Sequence, residues 1–234
     1  MIILGIDTSG YVNAVGIADS NRVLADVTFP ARTDTLEQIV DNIDVTLKSA
    51  GLALKDVGGI GVGLGPGSWT GIKVGVTVGK MLAFSTGKPV AGIPTLEALA
   101  YGLKGEAQNI LAVISAGIKD TVYAARYHIK GNEILREGEY FTGPVNSLAA
   151  MIKEPTVLEG SGIGHYVDII IEADESLKPK IKAAEAAPSG AMVACLAAGR
   201  LEKGKSDDTL SLTPLYLKES TAKAFVNKYS QKPS

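Results

Sequence analysis

The sequence predicts an α/β protein made of two copies of one unit, each a mixed sheet flanked by helices. Three observations predict it. A strand–turn–strand–turn–strand run opens the chain and gives way to an amphipathic helix. The same order restarts near Asn109. Between them, Gly63-Leu64-Gly65-Pro66-Gly67-Ser68-Trp69-Thr70-Gly71-Ile72-Lys73 turns a buried apolar run into a helix through a glycine-dense corner.

The first strand runs from Ile2 to Asp7, and a turn through Thr8-Ser9-Gly10 leads to a second strand, Val12 to Ala18. Asp19-Ser20-Asn21 turns the chain again into Val23 to Phe29. From Leu36 the period becomes helical through Ile39, Val40, Ile43, Leu47 and Ala50, with Asp34 and Glu37 as a capping pair and Gly51 as the stop. Val57 to Leu64 returns to a buried strand, and a second helix follows the corner from Lys73 to about Ser85. Three antiparallel strands, helix, strand and helix form the ribonuclease H-like unit of the actin and sugar-kinase superfamily.

In the second copy, Ile110 to Ser115, Thr121 to His128 and Glu133 to Phe141 are strands, with Gly131-Asn132 as a hairpin signal. A short helix is expected from Asn146 to before Pro155, then a strand over Thr156 to Glu159 and a loop through Gly160-Ser161-Gly162-Ile163-Gly164. The helix Ser189 to Lys203, stopped by Gly204, is expected to pack on the second unit, with a crossing back to the first as the alternative. The expected division is 1–104 with roughly 208–222 for the first unit, 105–207 for the second, and a mobile lysine- and serine-rich tail over 223–234.

Composition narrows the function classes. With 234 residues, 46% of them hydrophobic, the chain can bury a sizeable core. A net charge of -2 argues against unaided nucleic-acid binding, which needs a concentrated basic face. The single Cys195 excludes an internal disulfide and, among Met192, Val193, Leu196 and Ala197, reads as a buried structural thiol. The apolar run before Asp7 is too short for a targeting segment, and the uncharged run Val57 to Ile72 falls short of the roughly 20 residues of a membrane helix. A soluble cytoplasmic protein with no membrane contact is expected.

An ATP-using member of this superfamily needs a carboxylate at the end of the first strand. Asp7-Thr8-Ser9 supplies one, although an Asp there is equally explained by turn bonding. Backbone N–H groups at Ser68 to Ile72 could converge on an anion, which makes Asp7, Thr8, Ser9, Ser68 and Thr70 the weak candidates for a nucleotide. The matching place in the second half, Ser115-Ala116-Gly117, has no acid until Asp120. The corner is neither a P-loop nor a nucleophile elbow, and His128 and His165 lack metal-ligand spacing. A peptidase reading therefore has no nucleophile–base pair or zinc motif to stand on. No catalytic residue, metal site or cofactor is assigned.

Gly71, Gly75 and Gly79 line one face of the second helix. Each costs about 0.8–1.0 kcal/mol relative to alanine, so close packing must compensate. Two readings fit: contact with the first helix or the sheet beneath, or contact with another subunit.

The long corner resembles the GPGSFTGLRIG motif of the TsaB (YeaZ) family. Ile6-Asp7-Thr8-Ser9, Thr95-Leu96-Glu97-Ala98-Leu99-Ala100 and Pro214-Leu215-Tyr216-Leu217-Lys218 follow in the family's order, so the resemblance spans most of the chain. It departs from the family's pattern at Thr35-Leu36-Glu37, where His-Ser-Glu is common, and at Ala116-Gly117-Ile118, where Asp-Ala-Arg is common. The resemblance implies a non-catalytic scaffold of the complex that transfers a threonylcarbamoyl group to an adenosine beside the tRNA anticodon. It also implies a TsaD-like catalytic partner, a TsaE-like ATPase and tRNA contact only through the complex. The helix carrying Leu36, Ile39, Val40 and Ile43 and the face of Gly71, Gly75 and Gly79 are then the expected partner interface, while monomer and homodimer both stay open for the chain alone. The alternative is an ATP-dependent enzyme of the same superfamily using Asp7 and the Ser68–Gly71 loop.

Overall fold

A computed structural model describes residues 1–32, 35–131 and 133–217. Asp34 of the capping pair, Asn132 of the hairpin signal and the tail from 218 onward lie outside the described residues. The first half contains β1 (Ile2–Asp7), β2 (Val12–Asp19), β3 (Arg22–Pro30), α1 (Thr35–Ser49), β4 (Gly59–Gly63), α2 (Trp69–Thr86) and β5 (Val90–Ile93). Helix α3 (Thr95–Gly102) leads to β6 (Asn109–Ser115), β7 (Thr121–Lys130), β8 (Glu133–Pro144), β9 (Thr156–Gly160), α4 (Ile163–Ala173) and β10 (Ile181–Glu185). Helix α5 (Gly190–Leu201) and an extended strap to 217 close the described chain.

The sheets have the orders β3-β2-β1-β4-β5 and β10-β9-β6-β7-β8. In each, the first strand of the half is antiparallel to the second and parallel to the fourth. This duplicated topology, with helices on both faces, is a pair of ribonuclease H-like α/β units.

The corrections to the expected elements have separate causes. Strands β5 and β10 are four and five residues long, too short for a period to declare itself. Helix α3 is buried on two sides and shows no amphipathic stripe. Helix α4 begins where a glycine loop was expected, because the turn ends at Gly162, which has φ +71° and caps the helix. The expected helix from Asn146 is a 3-10 segment, Val145–Met151.

Helix α5 is the larger correction, because it packs on the first sheet rather than the second. Its Val193, Ala194, Ala197 and Ala198 share a core with Ile3, Ala18, Ala91 and Ile93. Gly16, Gly5, Gly61 and Ala91 sit opposite one another across four strands and form a nearly bare row. A Cβ on Gly16 would overlap the backbone of Gly190 and Ala191, and one on Gly61 would lie 2.8 Å from the Ala197 methyl. Small residues on both surfaces bring helix and sheet into backbone contact. Asp26 at the end of this row fixes the helix start, accepting from Ser189 Oγ at 2.7 Å and Ala191 N at 3.0 Å. Helix α5, expected to pack on the second unit, thus lies against the first sheet.

Helices α1 and α2 cover the opposite face of the first sheet, burying Ile39, Ile43, Leu47 and Val76 against Leu4, Ile6, Val15 and Val62. In the second half α4 and the 3-10 segment cover Leu111, Val113 and Leu158. Helix α3 lies between the halves, with Leu96 and Leu99 against Ile110 and Tyr127 and with Ala98 in the core of α5. The strap then returns to the first half, where Asp207 N donates to Val90 O at 2.8 Å and Leu215 N to Leu64 O at 2.8 Å.

Candidate functional site

The chemistry-bearing residues gather where the first strand meets the glycine corner. Asp7 is fully buried, and its carboxylate is taken up inside the protein. Ser9 N and Ser9 Oγ donate to Oδ1 at 2.8 and 2.6 Å, and Thr95 Oγ1 donates to Oδ2 at 2.7 Å. Burial raises the Asp7 pKa above its ordinary value, and the bonds from Ser9 and Thr95 oppose that rise. Thr95 also ties the corner to α3, since Thr95 N donates to Gly65 O at 2.8 Å and Thr95 Oγ1 accepts from Gly65 N at 3.2 Å. Asp7 is thus a staple between β1, the corner and α3.

The proposed anion cradle is largely closed as well. Ser68 N donates to Ser9 O at 2.7 Å, Gly71 N to Ser68 Oγ at 3.3 Å and Ile72 N to Ser68 O at 2.9 Å. Ser68 is the N-cap of α2, and Thr70 is exposed in its first turn. Thr8 Oγ1 donates to Gly71 O at 2.7 Å.

Beside this corner, both halves and the strap line a cleft of about 1040 Å³. Its described wall carries no lysine, arginine, aspartate or glutamate; Tyr11, Trp69, Tyr123, Tyr166 and Tyr216 dominate it. The register makes Ile114 the counterpart of Asp7, because Gly5 pairs Gly16 as Ala112 pairs Ala125, and each lies two residues before the side chain concerned. Ile114, an apolar side chain, lines the cleft, whereas the carboxylate of Asp7 is buried away from it. These residues do not fit a nucleotide triphosphate and its metal, which require cations or free carboxylates at the wall.

The predicted partner residues divide. Leu36 and Val40 are 56% and 57% exposed on α1, whereas Ile39 and Ile43 are buried in the core. The glycine face turns inward, which corrects its expected place at an interface. A Cβ on Gly71 or Gly75 would overlap Thr8, and one on Gly79 would overlap Val62. The close packing that compensates these glycines is within the chain, against the turn after β1 and against β4 of its own sheet. The outward side of α2 instead presents Met81 and Phe84, 60% and 69% exposed. Sequence reasoning missed both because the glycine stripe drew attention to the opposite side of the helix. Their spacing of three residues on a surface helix was the available signal.

A family model described as TsaD, tRNA N6-adenosine threonylcarbamoyltransferase, matches residues 30–224. The chain belongs to this family, in its TsaB (YeaZ) group. The Escherichia coli (strain K12) tRNA threonylcarbamoyladenosine biosynthesis protein TsaB is 28% identical over 95% of this chain and 96% of its own length. The Tropheryma whipplei (strain Twist) tRNA N6-adenosine threonylcarbamoyltransferase is 30% identical over 70% of this chain, which covers only 48% of that larger protein. Among solved structures, YeaZ from Pseudomonas aeruginosa has a TM-score of 0.76 at 25% identity, covering 92% of this chain and all of that one. A ROK hexokinase from Thermus thermophilus, at 14% identity and a TM-score of 0.53 over 87% of this chain and 100% of its own, shares the sugar-kinase fold. Among the described residues no helix is long and apolar enough to cross a membrane.

Proposed function

We propose that this chain is a non-catalytic subunit in tRNA threonylcarbamoyladenosine biosynthesis that docks a TsaD-like catalytic partner through the outer face of α1 and α2. The observation that carries the reading is the pair of neighbouring helices with Leu36, Val40, Met81 and Phe84 turned to solvent. Large apolar side chains on adjacent helices suit helix-against-helix packing with a partner. Relatives named for the same pathway support the setting. The sealed carboxylate of Asp7 and the uncharged cleft support a role without chemistry of its own.

On this reading a TsaE-like ATPase joins the assembly, and tRNA is held mainly by the partners, because a net charge of -2 leaves little to neutralise phosphates. Alone, the same helix face would pair with a second copy of the chain in a homodimer. The first module would comprise 1–104, α5 and the strap from 208, with the second module between them. Co-purification with the TsaD-like and TsaE-like proteins of the same organism, followed by a tRNA modification assay with this chain left out, tests the proposal. Modification should fall to background on omission. Full modification without the chain would contradict it, and magnesium-dependent ATP hydrolysis by the pure chain, lost in Asp7→Ala, would favour an enzyme instead.

A further inference from the structure

Glu159 has no role in that reading. Buried in β9, it leaves Oε2 without a hydrogen-bond partner. Register fixes what surrounds it. Ala112 of β6 and Ala184 of β10 flank it across the sheet, and their methyl groups offer no polar atom. Over it lies the C-terminal end of α3, where Oε1 would stand 3.4 Å from a Cβ on Gly102. The carbonyls at a helix C-terminus repel an anion. The groups that titrate or carry charge on these elements are Glu97 and Tyr101 of α3, Lys104 and Glu106 of the turn that follows, Lys182 of β10 and, one strand beyond β6, Tyr127. Burial raises the pKa of the Glu159 carboxyl, and the Glu106 charge adds to the rise.

We propose that Glu159 is a proton-operated latch on α3: neutral, it lets the helix end lie on β9, and ionised, it drives Gly102 and the turn after it off the sheet. An ionised carboxyl in an apolar row needs water or a partner, and neither Ala112, Ala184 nor the carbonyl end of α3 supplies one. Gly102 is exposed and has no side chain, so the way to solvent runs past it. Taking that way parts the end of α3 from the sheet. The bonds from Leu103 N to Ala100 O, Lys104 N to Tyr101 O and Glu106 N to Leu103 O open with it. The turn they hold is one of the two places where the chain crosses between the sheets, the other being 186–189. Leu99 of the same short helix lines the cleft, so the proton state of one buried carboxyl also reaches the cleft wall.

Amide exchange over 99–107 in the full chain tests this, with rates corrected for the intrinsic effect of pH and followed in urea too dilute to unfold the protein. On opening, the carboxyl passes from a pKa of about 8 to the ordinary 4.5, so the open fraction of this segment should grow about 50-fold between pH 6 and pH 8 and be insensitive to the urea. Glu159→Gln should abolish the pH dependence, and Glu106→Gln, at an exposed position, should weaken it. Equal protection at both pH values would overturn the proposal, since the carboxyl would then stay neutral or reach water with α3 in place. So would a pH dependence that survives Glu159→Gln. A pH effect that rises with urea along the slope of whole-chain unfolding would overturn it too, because Glu159 would then act on global stability alone.

Discussion

In the first sheet the row Gly16, Gly5, Gly61 and Ala91 carries almost no side-chain volume, whereas the matching row of the second sheet runs Ala125, Ala112, Glu159 and Ala184. The bare row lets α5 lie on the strands at backbone distance, and the opposite face holds α2 at comparable closeness through Gly75 and Gly79. The fuller row keeps α3 farther off and buries a carboxylate beside Gly102. One strand order thus yields a tightly clamped half and a looser half. The clamped half presents the outer helix face proposed for docking, and its rigidity comes from contacts in which one added methyl meets backbone.

The largest expected effect breaks that contrast directly. Gly16→Ala should destabilise the chain by more than about 4 kcal/mol, because the new methyl meets backbone that cannot yield. Ala125→Val, on the matching row of the second half, should cost about 1–3 kcal/mol. Urea unfolding of both variants checks the pair, and equal losses would erase the distinction. Next in size, Asp7→Ala leaves Ser9 N, Ser9 Oγ and Thr95 Oγ1 without their acceptor and should cost about 3 kcal/mol. An Asp7 kept for chemistry alone would show no such loss.

Glu159 sharpens the comparison from the looser side. It is 3% exposed, its Oε2 has no hydrogen-bond partner, and burial together with the nearby Glu106 charge lifts its pKa to about 8. Below the ordinary carboxylate range both folded and unfolded chains hold this proton, so there is no effect on stability. As pH rises toward 8 the unfolded chain releases it and the folded chain does not, so stability falls progressively and then levels off. Glu159→Gln should therefore cost about 1 kcal/mol at pH 4, where the amide lacks a partner and no linkage offsets it, and raise stability by about 2 kcal/mol at pH 7, where the linkage of about 3 kcal/mol outweighs that cost. Thermal midpoints across pH 4–8 read this out, and parallel curves for the two proteins would refute it.

The meander and long helix of the first half were legible because their periods are long and uninterrupted. The repeat in the second half was legible because its three strands restate that order. The docking of α5 was not, since the row it rests on draws one glycine from each of three strands and leaves no local pattern in any of them. The direction of the α2 glycine stripe was hidden for a related reason: a bare helix face fits its own sheet as well as a foreign surface, and only Thr8 and Val62 decide between them. Asp7 was found as a site residue, but the partners that seal it, Ser9 and Thr95, come from a turn and from a helix 88 residues away.

The smallest effect on the lone chain belongs to the outer helix face, where substitutions should stay within about 0.5 kcal/mol of the native stability. Titration calorimetry of the Val40→Asp, Phe84→Asp chain against the TsaD-like protein of the same organism tests the docking claim most directly. Affinity should fall about 100-fold while the thermal midpoint holds at concentrations dilute enough for the chain to be a monomer, as expected for two apolar anchors at an interface centre. Unchanged affinity with both carboxylates in place would contradict the account.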